Sequence, residues 1–226
     1  MRTVAYVDGY NLYFGRLKYT PYKWLDASRL LGEILRVQDP DTHLDCTKFY
    51  TASIKAKLAR LGDASVQAQN AYHRALEATG GVELHCGKYS LESTYAVVYA
   101  EPPNKNDRVK VWRMEEKQTD VKIALHMYTD ALRGNIDQIV LVTNDSDLVP
   151  ALQMIRQDFP KVRVGVIFPL KPKSSVDEKL KRPPSQGLRD HAHWARDYIR
   201  DEELEACQLR TIVATRRKPI RKPGHW

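Results

Sequence analysis

Residues 138–150 read Gln138-Ile139-Val140-Leu141-Val142-Thr143-Asn144-Asp145-Ser146-Asp147-Leu148-Val149-Pro150, the most strand-like run of the chain followed at once by two carboxylates. Ile139 to Val142 are apolar at successive positions, so the strand they form is buried on both faces, as in a parallel sheet covered by helices. Asn144 to Asp147 end that strand. A helix then begins at Leu148 with Pro150 in its first turn, where the N–H that proline lacks would be unpaired anyway.

The same pattern recurs on either side. Thr3-Val4-Ala5-Tyr6-Val7 is a short apolar run cut off by Asp8-Gly9, and Leu25, Leu30, Leu31, Ile34 and Leu35 then recur at helical spacing behind Asp26, a ready N-cap. A second strand is predicted around Leu44 to Ser53, a helix over Asp63 to Thr79 closed by Gly80-Gly81, and a third strand over Val82 to Tyr89. Thr94 to Ala100 and Val109 to Arg113 flank the loop Glu101 to Arg108 and read as an inserted hairpin. From Thr119 the period is helical, with Val121, Ala124, Leu125, Tyr128 and Leu132 on one face and Gly134-Asn135 at the end. Val162 to Phe168 supplies a further strand.

Strands alternating with helices at this spacing predict βαβ crossovers, hence an α/β domain with a mostly parallel sheet covered on both faces, over residues 1–170. Residues 169–187 contain four prolines, four lysines and an arginine, and the segment 171–187 reads as a basic linker or loop. Leu188, Trp194, Tyr198, Ile199 and Leu204 predict a helical extension over 188–213 that packs on the domain, followed by a basic tail over 214–226.

Composition bounds the function. The 226 residues are 42% hydrophobic and 28% charged, with a mean hydropathy of -0.52, which excludes a collagenous, membrane-embedded or wholly disordered chain. No apolar run reaches the roughly 18 residues of a transmembrane helix, and Asp8 interrupts the N-terminal run too early for a secretory segment. Cys46, Cys86 and Cys207 form no CxxC, which suits reduced thiols and a cytoplasmic location, with Cys46 and Cys86 read as small buried hydrophobes in strands. The net charge is +8, and residues 171–226 hold 14 Lys/Arg against 8 Asp/Glu, so most of the excess lies there. Arg216, Arg217, Lys218, Arg221 and Lys222 have no acid among them, a composition that favours polyanions and is expected to stay solvated and mobile; a solubilising tail is the alternative.

In an open α/β sheet, ligands gather outside the carboxyl ends of the strands, where strand order reverses. Asp8 follows the first strand, and Asp145 and Asp147 follow the Ile139–Thr143 strand. Asp120 opens the Thr119 helix four residues before Ala124, on the face directed at the sheet. All four can meet at one sheet edge. Carboxylates so close cannot all stay ionised unaided. A hard divalent cation, Mg²⁺ or Mn²⁺, supplies the missing charge and can activate water against a phosphodiester. Taken singly, the same residues read as a strand end, two helix caps and a turn. The cluster Tyr10, Tyr13, Phe14, Tyr19, Tyr22 and Trp24 suits either base stacking beside the metal or core packing. The histidines show no ligand spacing, His126 being rotated away from Asp120, and no GxGxxG or Walker loop marks a nucleotide cofactor.

Asp8-Gly9-Tyr10-Asn11, Glu116-Lys117-Gln118-Thr119-Asp120-Val121 and the block from Thr143 to Pro150 resemble, in order and context, the three signature blocks of the NYN domain, a family of PIN-like nucleases. The resemblance covers roughly residues 3–168 and, more loosely, Leu188 to Leu209. It implies a Rossmann-like sheet, a Mg²⁺ or Mn²⁺ site and RNA as substrate. By position, Asp8 is similar to the family's first metal-binding aspartate, Asn11 to the asparagine beside it, Asp120 to the helix-initial aspartate, and Asp145 and Asp147 to the final pair. Thr143 stands where serine is common, Asn144 where glycine is frequent and Leu148 where phenylalanine is frequent. Asn11 either bonds the backbone of its own turn or orients Asp8 or a phosphate, Lys117 either meets a phosphate or is solvated, and Thr143 is a supporting hydroxyl.

The expectation is a metal-dependent ribonuclease, an endoribonuclease hydrolysing single-stranded RNA, with Asp8, Asn11, Asp120, Asp145 and Asp147 at its centre. Lys105, Arg108 and Lys110 of the hairpin and Arg216, Arg217 and Lys218 of the tail are the expected RNA contacts. The rival readings are a non-catalytic RNA-binding or regulatory module that keeps the acidic site, and a metal-dependent phosphatase of small nucleotides. Self-association is left open.

Overall fold

A computed structural model describes residues 1–172 and 182–226, so 173–181, inside the stretch expected as a linker, lie outside the described residues. In chain order the elements are β1 (Arg2–Asp8), α1 (Gly9–Leu12), a π-helical turn (Tyr13–Leu17), α2 (Ala27–Gln38), β2 (His43–Ala52), α3 (Asp63–Thr79), β3 (Val82–Val97), β4 (Arg108–Lys117), α4 (Thr119–Arg133), β5 (Gln138–Val142), α5 (Val149–Asp158), β6 (Arg163–Ile167), α6 (Gln186–Asp190), β7 (Trp194–Arg196), α7 (Asp201–Ala206), β8 (Ile212–Val213) and β9 (Ile220–Arg221).

Among the described residues, seven strands form one sheet in the order β4-β3-β2-β1-β5-β6-β7, parallel except for the β3–β4 pair. From β1 the chain moves out through α2 to β2 and on to β3, then returns through α4 to β5 on the other side of β1. The strand order therefore reverses between β1 and β5, and the crevice beyond their carboxyl ends is where such a sheet receives a ligand. β3 explains why two strands were expected where one exists: up to Gly87 it pairs with β2, and from Lys88 it continues as one arm of an antiparallel ribbon with β4.

Both faces are covered. On one lie α2, through Leu30, Leu31, Ile34 and Leu35, and α3, through Tyr72, Ala75 and Leu76. On the other lie α4, through Ile123, Met127 and Ala131, and α5, through Leu152 and Ile155. Asp26 caps α2 as expected, its Oδ1 accepting the Arg29 N–H at 3.0 Å. The buried Gln138 amide is satisfied within the sheet: it donates to Thr3 Oγ1 and accepts from Trp194 Nε1, both at 3.0 Å, and so ties β7 to the centre.

Four expectations are corrected. Of the expected stripe on α4, Ala124 and Tyr128 pack against the core, but Val121, Leu125 and Leu132 are at least 60% exposed, and Ile123, Met127 and Ala131 face the sheet. Gln118, at φ 81°, is left-handed and caps α4 where it follows β4. Cys86 is exposed, not buried. Finally, the C-terminal stretch is mixed rather than helical, because β7 adds to the sheet edge and β8–β9 forms a small hairpin. The basic tail also folds back: Ile220 is buried, and the Trp226 ring lies 6.2 Å from that of Trp24 and 5.4 Å from that of Tyr72. Alternating with its cations are apolar residues that find a place in the α2–α3 core, so the tail is not simply solvated.

Candidate metal centre

Gly9 turns the chain sharply after β1. A Cβ there would meet Phe49 Cε1 and the Tyr50 carbonyl oxygen at 2.6 Å, so only glycine allows the turn to sit this close to β2. That turn leaves Asp8, the last residue of β1, as a buried carboxylate with both oxygens engaged. Oδ1 accepts the Asn11 N–H at 2.9 Å and Oδ2 accepts the Thr143 hydroxyl at 3.0 Å. Thr143 Oγ1 in turn accepts the Asp145 N–H at 3.1 Å. One threonine hydroxyl thus fixes the carboxylate at the end of β1 and the turn after β5.

The Asn11 side chain makes a second tie, its Oδ1 accepting the Asn144 N–H at 3.1 Å. Of the roles foreseen for Asn11, the orienting of Asp8 falls to its backbone N–H, while its side chain bonds not its own turn but the turn after β5, a role that was not foreseen. Asn144 also uses its side chain, donating to the Pro183 carbonyl at 3.0 Å and accepting the Ser185 N–H at 2.7 Å. A glycine there could make neither bond, so this departure from the family pattern fastens residues 183–185 against the site.

One oxygen from each of Asp8, Asp120 and Asp145 lies within 4.8 Å of the others. Together with Tyr10, Asn11 and Thr119 they line a cleft of about 200 Å³. Asp120 comes from the first turn of α4, on the helix face it shares with Ile123 and Met127. Its pKa is pushed up to about 6, first by burial and then by the charges of Asp8, Asp145 and Asp147. The Asp8 pKa is also raised, chiefly by burial, against the pull of its hydrogen bonds from Asn11 and Thr143. The fold has concentrated more negative charge here than its own donors neutralise.

This donor set suits a hard divalent cation. Oxygens bound to one octahedral Mg²⁺ at 2.0–2.1 Å lie about 2.9 Å apart when adjacent and about 4.2 Å when opposite, so the three carboxylates are close enough to draw in around one ion. Asp147 stands outside that trio. Its N–H donates to Asp145 Oδ1 at 3.1 Å, and its charge reaches Asp120 through space.

The remaining expected residues are dispersed. Lys117 Nζ lies 4.0 Å from Glu92 on the ribbon. Lys105, Arg108 and Lys110 are exposed at and near the ribbon tip, where Arg108 Nε donates to the Lys105 carbonyl at 3.0 Å. Arg216, Arg217 and Lys218 are exposed on the turn between β8 and β9, a separate element. Of the aromatic cluster, Trp24 is core, whereas Tyr10 lines the cleft and packs edge-on against Tyr89 at 5.4 Å. Phe14 and Tyr19 are exposed, with Lys18 Nζ 4.9 Å from each ring centre.

Sequence reasoning missed a second polar group beside the acidic one. The sheet register places Asp8, Tyr50 and His85 in one row across β1, β2 and β3. The Tyr50 hydroxyl lies 2.8 Å from His126 Nδ1 on α4, and the His85 ring stacks on Tyr50 at 4.8 Å. Burial above all, then nearby positive charge, lowers the pKa of both imidazoles. No local spacing announces this group, because its members come from three separate elements.

Comparison with known proteins adds three findings. Residues 2–182 match the family profile of the NYN domain. The 6-hydroxy-3-succinoylpyridine 3-monooxygenase HspA of Pseudomonas putida (strain DSM 28022 / S16) is 39% identical over a 245-residue alignment that covers 100% of this chain and 75% of that protein. A crystal structure of a protein of unknown function from Vibrio parahaemolyticus RIMD 2210633 superposes with a TM-score of 0.49 at 18% identity, covering 89% of this chain and 94% of the other.

Proposed function

The chain belongs to the NYN domain family, and from that premise we propose that it is a metal-dependent ribonuclease of PIN-like type that hydrolyses phosphodiester bonds of single-stranded RNA. The observation that carries the proposal is the convergence of Asp8, Asp120 and Asp145 at the β1/β5 switch point, with Asp8 buried and held at both oxygens. Asp8, Asp120 and Asp145 would hold Mg²⁺ or Mn²⁺, with Asp147 reaching it through water. When bound, the ion polarises a phosphoryl oxygen and lowers the pKa of a water able to attack phosphorus.

The other roles belong to the chain itself. Thr143 and Asn11 hold the β1 and β5 turns at fixed spacing, so the carboxylates do not splay apart under their own repulsion. Asp120, with a pKa of about 6, exchanges its proton near neutral pH, which makes loading of the site sensitive to pH. Tyr10 forms an aromatic wall of the cleft against which a base can stack.

A second reading is favoured by one observation, the 39% identity along the whole chain to a protein named as a monooxygenase of 6-hydroxy-3-succinoylpyridine. Under it, the cleft would receive a small hydroxylated pyridine instead of a nucleotide. The two readings separate in a parallel assay. Purified protein is given labelled single-stranded RNA with Mg²⁺, with Mn²⁺ and with EDTA, and separately given 6-hydroxy-3-succinoylpyridine with NADH while oxygen uptake is followed. Cleavage that needs the metal, without substrate-dependent oxygen uptake, is the expected result. Substrate-dependent oxygen uptake without cleavage establishes the second reading.

A further inference from the structure

We infer that the β3–β4 ribbon is a single-stranded nucleic-acid arm whose binding face is built on Tyr95 and Trp112 with Arg108 and Lys110. The inference rests on the reading above that the chain acts on RNA. Beyond Gly87 the ribbon leaves the parallel sheet, and its register fixes which side chains share a face: Ser93 opposes Trp112, Tyr95 opposes Lys110, and Val97 opposes Arg108. Trp112 is 66% and Tyr95 63% exposed, although aromatic rings of this size normally find cover. Arg108 and Lys110 lie on the same face, and between positions 91 and 97 and between 108 and 113 that face has no carboxylate. Glu92, paired with Arg113, belongs to the opposite face. Two isolated strands are marginally stable without a partner. Exposed rings interleaved with cations are what a single strand of nucleic acid engages, its bases stacking while its phosphates meet the charges.

The arm also leads to the site. β4 ends at Lys117, three residues before Asp120, and Tyr89 at the root of the ribbon packs on Tyr10, which lines the acidic cleft. Trp112 lies five residues up the strand from Lys117, about 17 Å away, so a strand seated on the arm can run down into the cleft. Charge decides the occupant. A second copy of the chain, itself at +8, would bring the same cationic face against this one, whereas a polyanion complements it.

The test is fluorescence anisotropy of a labelled single-stranded RNA in EDTA, where binding is read apart from cleavage, at several salt concentrations. Tyr95→Ala/Trp112→Ala should weaken binding at least tenfold with the salt slope kept. Arg108→Gln/Lys110→Gln should flatten that slope by about 0.7 per lost phosphate contact. Trp112→Phe, which keeps a stacking ring, should bind within about threefold of the wild type, a control against misfolding. Wild-type affinity in the double aromatic variant overturns the inference, as does RNA that the wild type does not bind. So does a Trp112→Ala protein that changes oligomeric state at unchanged RNA affinity, which would assign the face to a second copy. A wild type that binds through these residues yet cleaves nothing keeps the arm and removes the catalytic reading. Full cleavage by a Tyr95→Ala/Trp112→Ala protein that binds normally does the reverse.

Discussion

The side-chain oxygen of Asn11, in the turn after β1, accepts the backbone N–H of Asn144, in the turn after β5, at 3.1 Å. This bond crosses the crevice at which the strand order reverses, and it joins the two turns that carry Asp8 and Asp145. Asn11→Ala removes the acceptor and leaves the N–H of the buried Asn144 unpaired, a loss of about 1–3 kcal/mol. Melting temperature should fall and Mn²⁺ affinity, followed by calorimetry, should fall with it. A variant that melts lower but binds Mn²⁺ as the wild type does would confine Asn11 to a structural role.

Asp120 sets a pH dependence with a definite sign. Its pKa is raised in the folded chain to about 6 from 3.8, so the folded state holds the proton more tightly than the unfolded state. The stability this provides is complete below pH 3.8 and is lost as pH rises through 6. Without divalent metal, Asp120→Asn should therefore stabilise the protein at pH 7.5 by roughly 1–2 kcal/mol, allowing for solvent around this half-buried group. The gain should vanish near pH 3.5. Thermal melts in EDTA at the two pH values check this, and an equal gain at both would mean that the cost of ionising Asp120 in its buried, acidic surroundings is not the source of the gain.

The tail needs a finer cut than deletion. Removing residues 215–226 takes away five cations but also strips Ile220 and the Trp226 ring from Trp24 and Tyr72. Trp226→Ala alone should cost about 1–3 kcal/mol. Arg216→Gln/Arg217→Gln/Lys218→Gln should leave the melting temperature unchanged while lowering RNA affinity and flattening the salt slope by up to about 0.7 per lost contact. An unchanged slope in the triple variant makes the tail a purely structural element.

How much of this was legible in the sequence differs from element to element. Asp8 and Asp145 were placed correctly because each follows an apolar run whose length and abrupt end announce a buried parallel strand. The inward face of Asp120 is legible because Ala124, four residues on, packs on the core, whereas Val121, Leu125 and Leu132 of the expected stripe are exposed. α4 carries apolar residues on more than one side, and which of them are covered depends on how the helix seats on the sheet, which local spacing does not fix. β7 was not legible, since three residues carry no periodicity and their place depends on the Trp194 indole packing flat over Gly165, where a Cβ would meet it at 2.2 Å. The Tyr50, His85 and His126 group was out of reach for the same reason, as strand register across β2 and β3 assembles it.

The most direct test of the central claim is single-turnover cleavage of end-labelled single-stranded RNA by the wild type and by Asp145→Asn, with Mg²⁺ titrated in both. The wild type should cleave with a rate that saturates in Mg²⁺ and disappears in EDTA. Asp145→Asn, folded and at least as stable as the wild type without metal, should cleave about 10²-fold more slowly or worse. Cleavage by Asp145→Asn at the wild-type rate, or cleavage by the wild type that persists in EDTA, would contradict the assignment of catalysis to the Asp8–Asp120–Asp145 centre.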